Sequence, residues 1–163
     1  MTSAVRTITT SRFGDVEVQE DRIIRFQEPL LGFEDLDTFV LLDHAADSPF
    51  KWLQSAQNPD LAFVVTNPRF FGIEYAFTLP DNVSERLGIH SPEEVLVLTI
   101  VNIPQGNPEQ MTANLMGPLI IHEKTLQAMQ VVLNDTGFST KTRLLDDSIG
   151  SASGATAVAE QER

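Results

Sequence analysis

The sequence predicts an all-β fold, mainly antiparallel: a small β-barrel-like single domain carrying one or two short helices. Three observations predict it. Apolar residues recur with period two or in short continuous runs. Gly, Pro, Asn and Asp punctuate these runs at short intervals. Only two stretches carry helix-start and helix-stop signals.

Taken along the chain, Ile8 and Phe13 precede Gly14-Asp15, after which Val16 and Val18 alternate with Glu17 and Gln19. That is the pattern of a hairpin, followed by a third short strand at 23–26. Strands are predicted at 38–44 and 50–56, on either side of a polar turn at 46–49. In the second of these Phe50 and Trp52 alternate with Lys51 and Gln54, with Leu53 off the pattern. The run "LAFVVT" (61–66) has no polar alternation, so both of its faces are expected to be covered. Ile73, Tyr75, Phe77 and Leu79 share one face of a predicted strand at 73–79. Residues 94–103 read as a long buried strand, and 128–133 as the closing one. Between them, "TANLMG" and "PLIIHE" are expected to pair around Gly117-Pro118. The helix signals are "DNVSERLG" (81–88), with Asp81 as N-cap and Gly88 as terminator, and "SPEE" (91–94), a one-turn capping box with Pro92 in its first position. The expected core includes Phe39, Leu41, Trp52, Phe63, Val65, Phe77, Val97, Leu115, Ile120 and Val132. After Leu145 the composition turns small and polar. The domain is therefore placed at 1–145, and 146–163 is expected to be a disordered tail.

Charge narrows the partners. The chain has 23 acidic against 11 basic residues, net −12. Such a surface is repelled by nucleic-acid phosphates and by anionic membranes, and it suits a basic partner. It also serves plain solubility. No apolar run approaches the ~18–20 residues of a membrane span, the first residues lack the apolar stretch of a signal peptide, and cysteine is absent. These features fit a cytoplasmic location.

Chemistry needs a constellation, and the sequence shows none at motif spacing. His44, His90 and His122 lie 46 and 32 residues apart and form no HExxH. Ser55 or Thr112 could meet His122 as a nucleophile–base pair, but no G-x-S-x-G supports it. Asp43 and His44 are adjacent on a strand and point to opposite faces. The segment 106–110 has no lysine and is no phosphate loop. Neither a metal nor a cofactor is expected. Thr112 and Asn114 share a strand face and read either as backbone-bonding turn residues or as polar groups aimed at a ligand. Asn58-Pro59 and Asn67-Pro68 bracket the 61–66 strand, where each Asn can close a turn with its own side chain. Phe70 and Phe71 fall in a loop before Gly72, so at least one ring is expected to face solvent. With Glu74 and Tyr75 they are the candidate protein-binding residues.

Several stretches together resemble the FliW family of flagellar assembly factors: "FGDVEV" (13–18), "GFEDLDTFVLL" (32–42), "SPFKWLQSAQNPDLAFVVTNP" (48–68), "LGIHSPEEVLVLTIVNIP" (87–104), "MTANLMGPLII" (111–121) and "QVVLND" (130–135). The resemblance covers about residues 5–145. It implies a small β-barrel-like, non-enzymatic protein that is monomeric when free. It further implies binding to CsrA, a basic RNA-binding translational regulator, and to flagellin, with no direct nucleic-acid contact. The alternative is a small-ligand barrel or an enzyme using Thr112, Asn114 and His122.

Overall fold

The structure is a computed structural model that describes residues 4–30, 32–33, 35–43, 48–133 and 137–145. The segment 146–163, expected to be disordered, lies outside the described residues, as does His44.

Eleven strands and one α-helix are described. β1 (Val5–Thr10) and β2 (Gly14–Gln19) form the expected hairpin. Its turn sits at 11–13, and Gly14 opens β2 with φ +69°, a left-handed backbone that a side chain would disfavour. Then come β3 (Ile24–Phe26), β4 (Thr38–Asp43), β5 (Phe50–Ser55), β6 (Ala62–Thr66), α1 (Asp81–Leu87), β7 (Val95–Asn102), β8 (Thr112–Ala113), β9 (Leu119–His122), β10 (Gln127–Gln130) and β11 (Thr142–Arg143). The order β7-β6-β5-β4-β3-β10-β9, closed by β7 against β9, makes a seven-stranded barrel. Every pairing is antiparallel except the parallel contact of β10 with β3. Closure removes the free edges an open sheet would leave.

Strand alternation divides the apolar residues into an interior and two outer layers. Phe26, Phe39, Leu53, Val65, Leu98, Leu119, Ile121 and Ala128 are buried together inside the barrel. Burying each large side chain contributes roughly 1.5–3 kcal/mol. On the outer face Phe50, Val101, Ile120 and Met129 are buried with Tyr75, Val83, Leu87, Met111, Leu115, Leu144 and Leu145, beneath α1 and two irregular stretches. Elsewhere on that face Val40 packs with Ile8 and Ile23, against which Val18 and Leu42 also pack, under the β1–β2 hairpin. The 61–66 run is covered on both sides as expected: Val65 looks inward and Val64 packs in the outer layer.

Five expectations are corrected, the last of them the placement of Trp52 in the core. The segment 73–79 keeps its alternation, with Tyr75 buried and Glu74, Ala76 and Thr78 exposed, but it joins no sheet. It lies over the outer face of the barrel, which supplies the apolar contacts a strand face would have found in a sheet. The 112–123 stretch is no hairpin. Ala113 pairs with Val101, and Leu119 pairs with Leu98, so β8 and β9 run in succession along the same edge of β7. The intervening 114–118 bulges out, as Gly117-Pro118 favours, instead of reversing the chain. In α1 the N-cap is Pro80, and Asp81 is the first helical residue, where its charge still faces the helix N-terminus. Val132 is 46% exposed. Val131 and Leu133 take the buried phase, a one-residue shift that inverts the face.

Trp52 is half-buried and lies outside the barrel. The Phe13 ring meets it edge-on at 5.7 Å, and the Arg12 guanidinium sits 4.3 Å from the ring centre. It fastens the hairpin to β5 and takes no part in filling the interior.

Candidate protein-docking site

The rim between β6 and α1 carries the candidate residues. Asn67 closes a 3-10 turn, Pro68–Phe71, by accepting the Arg69 N–H on Oδ1 at 3.0 Å, and Gly72 ends it with φ +76°. Asn58 does the same for the Asp60 N–H at 2.9 Å. The turn throws its two rings apart. Phe70 is 66% exposed, while Phe71 is half-buried with its ring 5.6 Å from that of Phe50. Glu74 is exposed. Tyr75, the fourth candidate, is not at the surface. It is buried between Phe77 (5.1 Å) and Phe138 (4.9 Å), and its hydroxyl donates to the Leu115 carbonyl at 2.5 Å. Burial pushes the phenol pKa well up, so Tyr75 stays a proton donor in that bond.

Beside Tyr75 a groove of about 700 Å³ runs between the 75–79 stretch and the 89–97 stretch. Val95 and Val97 of β7 contribute to its walls together with Tyr75 and Phe77, and Asn67, Arg69, His90 and Glu123 bring polar groups. Glu94 anchors the far wall. Its Oε1 accepts the N–H groups of His90 (2.6 Å) and Ser91 (3.0 Å), the carboxylate half of the expected capping box. These bonds hold its pKa below the ordinary glutamate range.

The alternative trio does not assemble. Thr112 and Asn114 line a separate cavity of about 350 Å³ with Phe33, Phe63, Gln130 and Lys141. His122 is buried at the other end of the β8–β9 edge, with Nδ1 accepting the Lys124 N–H at 3.1 Å and Nε2 3.9 Å from Glu94 Oε2. Asn114 accepts the N–H groups of Met116 and Gly117 on Oδ1 at 3.1 and 2.9 Å, which fixes the bulge. Ser55 likewise holds the N–H groups of Gln57 and Asn58. Among the described residues no group of three or more His, Asp or Glu is placed to hold a metal, and no helix is long and apolar enough to cross a membrane.

The bulge gives one test. A Cβ at Gly117 would lie 3.0 Å from Asn114 Nδ2 and 3.1 Å from Gln130 Nε2, and Gln130 also donates to the Gly117 carbonyl at 3.1 Å. Gly117→Ala must displace one of these bonded amides, so a loss of about 1–2 kcal/mol is expected in urea unfolding. An unchanged midpoint would show that the bulge yields freely.

Fold and site together define a small closed β-barrel with mixed strand directions, whose polar side chains largely brace its own turns and whose outer layer leaves a groove and the exposed Phe70 ring. Comparison with known proteins then specifies the family. The family model described as FliW protein matches residues 7–144. A flagellar assembly factor FliW of Leptospira biflexa serovar Patoc is 37% identical over 140 residues, covering 86% of this chain and 92% of the relative. One from Leptospira interrogans serovar Lai is 40% identical over 139 residues, covering 85% and 93%. A crystal structure of the flagellar assembly factor FliW superposes with a TM-score of 0.78 at 34% identity, covering 85% of this chain and 96% of that one. The chain belongs to the FliW family.

Sequence reasoning missed the groove. Its two walls come from segments read as separate strands, and only the departure of 73–79 from the sheet opens it. The one signal available was Pro80, which cannot donate to a ladder and stands at the end of the alternating run.

Proposed function

We propose that this protein is a cytoplasmic, non-enzymatic flagellar assembly factor, monomeric when free, that binds CsrA and flagellin and so couples flagellin supply to flagellin translation. The observation that carries the reading is family membership across 7–144, nearly the whole described domain. The net charge of −12 supports it independently, because CsrA must present a basic surface to RNA. Bound flagellin would withdraw the factor from CsrA, and freed CsrA would silence the flagellin message.

The test is binding kinetics with purified CsrA at two salt concentrations. Long-range attraction is screened over about 8–10 Å at ordinary salt. Raising salt should therefore slow association and leave dissociation nearly unchanged. Glu74→Lys should slow association further. Phe70→Ala should speed dissociation while leaving stability within about 0.5 kcal/mol, since the ring buries little in the free protein. Phe71→Ala is the poorer probe, because it also removes the contact with Phe50. No binding at micromolar concentration at either salt would defeat this reading.

A further inference from the structure

The stretch 73–79 has the shape of a strand without a partner. Its side chains alternate, with Tyr75 buried, Ile73, Phe77 and Leu79 packed on the outer layer, and Glu74, Ala76 and Thr78 exposed. Yet among the described residues no backbone N–H or carbonyl of 73–79 takes part in a backbone hydrogen bond. Its one hydrogen bond is made by the Tyr75 hydroxyl. Unpaired backbone groups along an extended, half-buried segment are kept in solution by water and are satisfied equally well by another strand. Space for that strand is present: the groove of about 700 Å³ is lined by 75–79 on one side and by 89–92 and 95–97 on the other. The apolar walls, Tyr75, Phe77, Val95 and Val97, can receive every second side chain of an extended visitor.

Charge selects the visitor. The groove's own lining holds one carboxylate, Glu123, and one arginine, Arg69, while the wider stretch 67–97 together with Glu123 carries six carboxylates against two arginines. One of those arginines, Arg86, is already paired with Glu28 at 2.7 Å. We propose that the groove beside 73–79 is a β-augmentation site, in which an extended segment of a partner protein, alternating apolar with basic residues, hydrogen-bonds to the backbone of 73–79 and points its cations at the surrounding carboxylates. This deepens the reading above by assigning a docking mode to it, without depending on which protein supplies the segment.

The test follows amide hydrogen exchange of the full chain on addition of a synthetic peptide of alternating lysine and valine, with an alternating glutamate–valine peptide as control. The amides of 73–79 exchange fast in the free protein and gain protection with the basic peptide only. Ala76→Pro and Thr78→Pro each remove an N–H that bonds nothing in the free protein, and both side chains point outward. At least one of them should weaken peptide binding about tenfold, the one whose N–H faces the groove, with the unfolding midpoint nearly unchanged. Glu123→Lys should weaken it as well. Unchanged exchange at 73–79, equal protection by the acidic peptide, or full affinity in both proline variants would overturn the proposal. So would protection of 73–79 that rises with protein concentration alone, which would mark a contact between two copies of this chain. The same exchange measurement with purified CsrA and with flagellin separates the two readings. Peptide protection without binding of either protein removes the flagellar partners and keeps the groove, whereas binding of either protein without protection of 73–79 does the reverse.

Discussion

Phe39→Ala is expected to cost about 3–5 kcal/mol, a large share of the stability of a domain this size. Phe39 has no exposed surface and sits inside the barrel, with Phe26 edge-on at 5.6 Å and Phe63 tilted at 6.1 Å. It is held on β4 between the β3 partner Ile24 and the β5 partner Ser55, so neither neighbour can move in to fill the space without breaking a ladder. Urea unfolding followed by circular dichroism measures the loss. Val132→Ala is the internal comparison, because a side chain 46% exposed should cost well under 1 kcal/mol. Similar losses at the two sites would mean that the barrel interior is misplaced.

Tyr75→Ala comes next, with an expected loss of about 3–5 kcal/mol. The ring ties three separate pieces of chain together: the 73–79 stretch through its own backbone, 137–145 through Phe138, and the 114–118 bulge through the Leu115 carbonyl. Removing it takes away the contacts by which 73–79 is held against the barrel. Tyr75→Phe keeps the ring and deletes only the hydroxyl, leaving the Leu115 carbonyl without that donor, for an expected loss of about 1–2 kcal/mol. The difference between the two variants separates packing from hydrogen bonding. Equal losses would assign the whole effect to the hydroxyl and contradict the packing account.

The sequence was readable wherever local chemistry decides the structure. Asn58 and Asn67 close their turns with their own side chains, as residues before proline are suited to do. The unbroken apolar run at 61–66 is covered on both faces because the barrel has a filled interior and a clothed exterior. Phe70 and Phe71 part as two successive rings in a tight turn must. Where long-range pairing decides, local pattern was insufficient. Alternation at 73–79 reports one buried face and is silent on whether backbone partners stand on either side, so it reads alike in a strand and in a stretch laid over a sheet. Gly117-Pro118 marks a break in regular structure. Whether the break becomes a turn or a bulge depends on β7, eight residues long, being able to pair with both halves in succession. In 128–133 the odd positions Met129, Val131 and Leu133 are the more apolar set, and the Val131 and Leu133 N–H groups, bonded to the Pro118 and Met116 carbonyls, continue the β10 register in the phase that exposes Val132. Of the candidate site, Phe70 and Glu74 were legible as exposed rim residues, whereas the groove required the tertiary placement of its two walls.

The most direct measurement of the central claim is a competition experiment. A preformed complex of this protein with purified CsrA is titrated with flagellin, and free CsrA is followed by its recovered binding to a labelled flagellin leader RNA. The account expects CsrA to be released in proportion to the flagellin added, with RNA binding restored as the factor is withdrawn. Stable binding of both proteins to the same molecule, with RNA binding unchanged at saturating flagellin, would contradict it.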